Sequence, residues 1–231
     1  MTTVFIVIWC AYTAHALCRN ACARNVPAFP GHVLQFILLA IAIWWAARSG
    51  LLSRALWSPV DIALGLALGH FLFAMSLMIT HQHAGDVARH LVDLRGIGAF
   101  MKQSPELVFR FAGVCIIEEL VYRAAAQDIL TNALGRPVPA ILLTAVSFCI
   151  LHQHFFKNGR LCAFEFFLFS LAIGMVYYYT YSLTIVTLAH LARNVESAYL
   201  EYCVLLEEDN EPEQAMRILK KQHASSAAEF P

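Results

Sequence analysis

Long apolar runs separated by short polar links recur along the chain, near 2–17, 32–52, 60–80, 107–132, 138–156, 164–181 and 183–205. Each approaches the roughly 20 residues with which an α-helix crosses a bilayer. The pattern predicts an all-α fold, a polytopic membrane helical bundle of about seven transmembrane helices. The third, fifth and sixth runs are the best defined, and a different division around Ser182 gives six or eight spans. The link at 81–106 carries His81, His83 and His90 among mixed charges and glycines, and reads as a surface loop with a short interfacial helix. Beyond the last run the chain is acidic first and basic later, which predicts a short helix around 212–222. The expected organisation is one bundle over 1–206, with a motif-bearing core at about 107–205, and a cytoplasmic tail over 207–231.

Composition agrees with the pattern. Of 231 residues, 59% are hydrophobic and 14% charged, against about 45–50% and about 25% in ordinary soluble domains. Sixteen basic and sixteen acidic residues cancel, so no basic field gathers nucleic acid, and the chain lacks the polar, charge-rich profile of a disordered protein. Seven cysteines, at 10, 18, 22, 115, 149, 162 and 203, are scattered and odd in number, the pattern of packing residues rather than of a disulfide framework. Cys18 and Cys22 lie four apart, but no second Cys or His pair follows at zinc-finger spacing. The first apolar run has no basic residue before Arg19, whereas a cleaved signal carries its charge ahead of its apolar core. It is expected to be a retained helix.

Inside the spans, charge is expensive and usually functional. Arg110, Arg123 and Arg193 all fall there. In the fourth span, Glu118 and Glu119 are followed by Arg123. Glu119 and Arg123 stand four apart with the acid on the N-terminal side, the favourable order for a helical ion pair. Such a pair neutralises Glu119 and leaves Glu118, about 100° around the helix, for another task. The fifth span supplies Phe148 and His152, four apart. The seventh supplies His190 and Asn194, again four apart, each needing a hydrogen-bond partner in the bundle. A carboxylate, an adjacent imidazole and further donors suit hydrolysis, in which a base deprotonates water and donors stabilise the oxyanion. Glu118 and His152 fit the first task, His190 and Asn194 the second. No nucleophile-elbow pattern is present.

Glu118-Glu119-x-x-x-Arg123, Phe148-x-x-x-His152 and His190-x-x-x-Asn194, in this order on separate spans, resemble the motifs of the CAAX protease and bacteriocin-processing (CPBP) family of intramembrane glutamic endopeptidases. The resemblance covers about 107–205. It implies that Glu118 acts as base on water with His152, that Glu119 and Arg123 orient the site, and that His190 and Asn194 line an oxyanion pocket. The implied substrate is a membrane-anchored or lipid-modified peptide or protein, cleaved near its anchored terminus without a cofactor. The implied location is a multi-pass integral protein of a plasma membrane or bacterial inner membrane, in contact with the lipid bilayer. Three other readings stand beside it. A non-catalytic immunity or partner-binding protein would keep the polar residues for stability. A zinc-dependent membrane protease would take its ligands from the two histidines and a carboxylate, although His-Glu-x-x-His is lacking. A transporter is disfavoured because no Gly/Pro-broken segments recur in two halves.

Lys and Arg in the short links set the expected orientation, since cytoplasmic loops hold the excess. With seven spans, ten of these residues fall on one side and three (Arg48, Arg54 and Arg136) on the other. A reporter fused after Pro231 is therefore expected in the cytoplasm and one fused at Met1 outside. Both reporters on one side would mean an even number of spans.

Overall fold

The computed structural model describes residues 2–21, 26–54, 58–80, 85, 88, 91–208 and 211–228. His81, His83, His90 and Cys22 lie outside the described residues. Every apolar run forms a helix. They are α1 (Thr2–Ala21), α2 (Phe29–Arg48) and α3 (Pro59–Thr80), then the short amphipathic α4 (Leu94–Gln103). The long α5 runs Pro105–Glu119, continues as a π-helical stretch Leu120–Gln127, and resumes as Asp128–Leu134. It is followed by α6 (Pro137–Leu151), α7 (Arg160–Thr180), α8 (Leu183–Glu207) and the tail helix α9 (Pro212–Ala228). Four of them, α1, α2, α3 and α7, are long and apolar enough to cross a membrane.

Local chemistry sets several boundaries. Pro105 and Pro137 occupy the first turns of α5 and α6, where a missing N–H costs nothing. Gly135, at φ +64°, closes α5 in the left-handed conformation. Ser182 caps α8 by accepting from the Ile185 N–H at 3.3 Å and donates to Asp61 of α3 at 2.8 Å. The fifth run is shorter than its composition suggests. α6 ends at Leu151, and His152 takes an extended conformation before a single helical turn, Gln153–Lys157. The tail helix exceeds its expected 212–222 span, and Ala215, Met216 and Leu219 are buried against α5 and α8.

α8 is held to α3 by a contact that the sequence motifs above did not single out. Gly65 and Gly69, four apart on α3, face the α8 backbone. A Cβ on Gly69 would come within 2.5 Å of the Ala189 carbonyl oxygen and 2.6 Å of Ala192 Cβ, and one on Gly65 within 2.9 Å of the Ile185 carbonyl. Small residues at this spacing let two membrane helices approach backbone to backbone. One residue on, His70 Nδ1 meets Glu196 of α8 at 3.0 Å. The register of α8, and with it His190 and Asn194, is thereby fixed against α3.

Candidate active site

The six residues singled out on three spans lie on α5, at the end of α6 and on α8. The structure brings five into direct sequence of contact. Glu119 and Arg123 form the expected pair, with Nε 3.2 Å from Oε2 and exposures of 1% and 0%. The N–H does not point along that line, so the contact is an ion pair rather than a hydrogen bond. The guanidinium is also held by Ser170 of α7, whose carbonyl and hydroxyl oxygens accept from Nη2 at 3.4 and 3.3 Å, and it sits 5.4 Å from the Phe148 ring centroid. Arg123 lies in the π-helical stretch, a form that appears mostly as single-turn bulges and frequently at functional sites.

The other Glu119 oxygen receives His190 Nδ1 at 2.8 Å. That contact turns His190 Nε2 toward Glu118, 3.6 Å from Oε2. His152 reaches the same carboxylate from the opposite side. Its Nδ1 donates to the Phe148 carbonyl at 2.8 Å, and its Nε2 lies 3.5 Å from Glu118 Oε1. Both rings thus have Nδ1 engaged by an acceptor and present Nε2 to Glu118, an assignment that follows from the partners. At 3.5 and 3.6 Å these contacts are too long for strong direct hydrogen bonds, and they leave room for a water only beside each pair, not between its atoms. Glu118 Oε1 is buried and has no hydrogen-bond partner among the described residues.

Asn194 stands one turn further along α8, where its Nδ2 lies 3.4 Å from Cys115 Sγ. Phe148, Phe166 and Phe169 wall the cluster, with ring centroids 4.6 Å (Phe148–His152), 4.9 Å (Phe166–His152) and 5.2 Å (Phe169–His190) apart. A cleft of about 840 Å³ reaches His152 and Asn194, bounded by α5, α7, α8 and α9. On the other side, a cavity of about 20 Å³ touches Glu118 and His152 between Tyr12 of α1 and Leu38 of α2. Among the described residues, no group of three His, Cys, Asp or Glu side chains is arranged to hold a metal ion.

The motifs did not point to Ser170, Glu165 or Tyr12. Glu165 had a signal, being an acid at the edge of an apolar run. It accepts from Arg193 Nη2 at 2.8 and 3.0 Å. Tyr12 and Ser170 are ordinary residues on unmarked helix faces, and only tertiary packing brings them to the site.

Residues 101–195 match the family model described as type II CAAX prenyl endopeptidase Rce1-like. The matched segment contains all six motif residues and bears out the resemblance read from them. No curated protein and no solved structure matches the chain.

Replacing Arg123 by Ala leaves Glu119 buried without its cation, and losing one partner of a buried pair costs about 3–5 kcal/mol. Thermal unfolding in detergent is expected to show that loss, together with lost activity. Glu119→Gln combined with Arg123→Met is expected to restore the fold better than the activity. Native stability and full activity in Arg123→Ala would mean that the pair does not organise the site.

Proposed function

We propose that this chain, whose segment 101–195 is of the CAAX prenyl endopeptidase kind, is an intramembrane endopeptidase in which Glu118 and His152 activate water. It hydrolyses a peptide bond near a membrane-anchored or lipid-modified terminus. The observation that carries the reading is the pair of imidazole Nε2 atoms at 3.5 and 3.6 Å from one buried carboxylate. A water held beside Glu118 Oε1 and His152 Nε2 can direct one proton to each, which leaves an oxygen lone pair for the scissile carbonyl. The Glu118 carboxylate takes the proton as the C–O bond forms, and the same proton goes to the departing amine as the C–N bond breaks.

Negative charge develops on the carbonyl oxygen in that step, and preorganised donors stabilise it. Asn194 Nδ2 is one donor. His190 is the other when its ring is an imidazolium, because Nδ1 already donates to Glu119 and Nε2 then carries a hydrogen as well. The Glu119 carboxylate, held by Arg123, stabilises that charge. The large cleft, which reaches His152 and Asn194, is the route by which the peptide enters. The ten-to-three excess of Lys and Arg over all the short links supports a cytoplasmic tail, and the cleft, which α9 borders, then opens on that side.

The test is cleavage of membrane-anchored peptides by the purified chain, with metal content measured alongside. His152→Ala is expected to abolish turnover. Asn194→Ala is expected to lose about 10²–10³ in rate and stay measurable, as for the loss of one oxyanion donor. Full activity in chelator-treated, metal-free protein is the expected result. Stoichiometric zinc lost together with activity, and regained on adding metal, would replace the glutamate mechanism by a zinc one. Peptide binding without cleavage by the wild type would favour the partner-binding reading.

A further inference from the structure

Beside Asn194 the chain buries a second ion pair, which the chemistry above does not use. Arg193 of α8 donates through Nη2 to both oxygens of Glu165 on α7, at 2.8 and 3.0 Å. The two side chains are 11% and 8% exposed. Taking both charges out of water is unfavourable, and packed apolar residues of similar volume commonly stabilise a fold as well or better. Stability is therefore a weak reason for the pair to stand where it does.

Its surroundings supply another reason. Glu165, Phe166, Phe169 and Ser170 stand at i, i+1, i+4 and i+5 on α7, within an arc of about 140°, and all four are buried. This face of α7 packs on the site. Ser170 accepts from Arg123, while the Phe166 and Phe169 ring centroids lie 4.9 Å from His152 and 5.2 Å from His190. The Arg193 guanidinium rests on the same two rings, with Cζ 4.3 Å from the Phe169 centroid and 5.8 Å from that of Phe166. A carboxylate thus holds it in one direction and an aromatic face, through cation–π attraction, in another. Turning α8 about its axis would carry Arg193 off both.

His190 and Asn194 depend on that rotation to different degrees. His190 is anchored directly, by Glu119 at 2.8 Å. The Asn194 side chain makes one hydrogen bond among the described residues, to the Cys115 thiol at 3.4 Å, and sulfur is a weak acceptor. An oxyanion donor acts from about 2.7–3.1 Å, and a misplacement of about 1 Å can lower a rate about 10²-fold. Asn194 therefore needs its stretch of α8 to be held for it. Gly65, Gly69 and His70 tether α8 to α3, and the residue next to Asn194 tethers it to α7. We propose that Glu165 and Arg193 are a positioning pair for Asn194. The proposal rests on the peptidase reading and adds to it two residues outside the motifs. Neither touches the reacting atoms; together they hold the turn of α8 that carries the donor.

The test is a double-mutant cycle in kcat, with the full chain in detergent and one fluorogenic peptide carrying a lipid-modified cysteine. Glu165→Gln is expected to lower kcat about 10–100-fold with KM changed less than about threefold, as for a displaced donor. Glu165→Asp is expected to retain more of the rate. In an Asn194→Ala background the Glu165→Gln change is expected to lower kcat less than about threefold, because the group it positions is already gone and residues that act as a unit are not additive. Glu165→Met combined with Arg193→Met removes the pair without leaving a buried charge. That variant is expected to keep native helix content and thermal stability while its kcat stays low. The cycle is run with the single and with the combined replacement, so that a single variant that fails to fold leaves the measurement intact. A loss of the same size with and without Asn194, or wild-type kcat in the combined variant, overturns the positioning role while leaving the peptidase reading standing. No cleavage by the wild type overturns the peptidase reading, and the role of the pair with it.

Discussion

A fully buried guanidinium in an apolar helical bundle demands a counter-charge, and the rest of the site follows from how Arg123 obtains it. Glu119, four residues earlier, supplies the charge through one oxygen and uses the other to hold His190. His190 is thereby turned so that its second nitrogen faces Glu118, and His152, tied to the Phe148 carbonyl, completes the pair from the other side. Each contact consumes the group that would otherwise compete for Glu118. The adjacent carboxylates are chemically identical and end in different surroundings because only one of them is committed to the cation. Ser170 and Phe148 hold the far side of the guanidinium, so α6 and α7 are tied to the same charge.

The bundle divides this work between two kinds of helix. α1, α2, α3 and α7 have the length and apolarity to cross a membrane. α5, α6 and α8 carry the motif residues and depart from that pattern in two ways. α5 and α8 hold carboxylates, imidazoles and guanidinium groups that lower their hydropathy. α6 has fifteen residues, about 22 Å at 1.5 Å per residue, and stops where His152 leaves the helix. That break lets His152 Nδ1 reach back to Phe148 while Nε2 reaches Glu118. The apolar helices around them are structural partners as well. Gly65 and Gly69 of α3 bring α8 in to backbone contact, and His70 pins Glu196 two residues beyond Asn194.

The apolar runs predicted the long helices because burial in lipid and in a bundle both act on stretches of sequence. The motif spacing predicted the Glu119–Arg123 pair, since a shared helix face is a local property, and the motif chemistry set His152 beside Glu118; the approach of His190 to the same carboxylate is a tertiary contact that no spacing predicted. Other features depend on contacts that no spacing encodes. The π-helical stretch Leu120–Gln127 changes the hydrogen-bond register without changing the apolar pattern. His152 was read as part of a helix running to about 156, and its extended conformation follows from the side-chain contacts it makes. Glu165 and Ser170 are single polar residues on an otherwise apolar α7, and their partners lie 28 and 47 residues away.

The central claim is that the two adjacent carboxylates differ in role, with Glu118 acting on water and Glu119 holding Arg123 and His190. The most direct measurement is single-turnover cleavage of one peptide by Glu118→Gln and Glu119→Gln, each checked for native helix content and for peptide binding. Glu118→Gln is expected to fold, to bind the peptide and to leave it uncut, while Glu119→Gln is expected to lose stability and to retain residual cleavage in whatever fraction remains folded. Cleavage at the wild-type rate by Glu118→Gln would contradict the account, above all if Glu119→Gln were folded and inert.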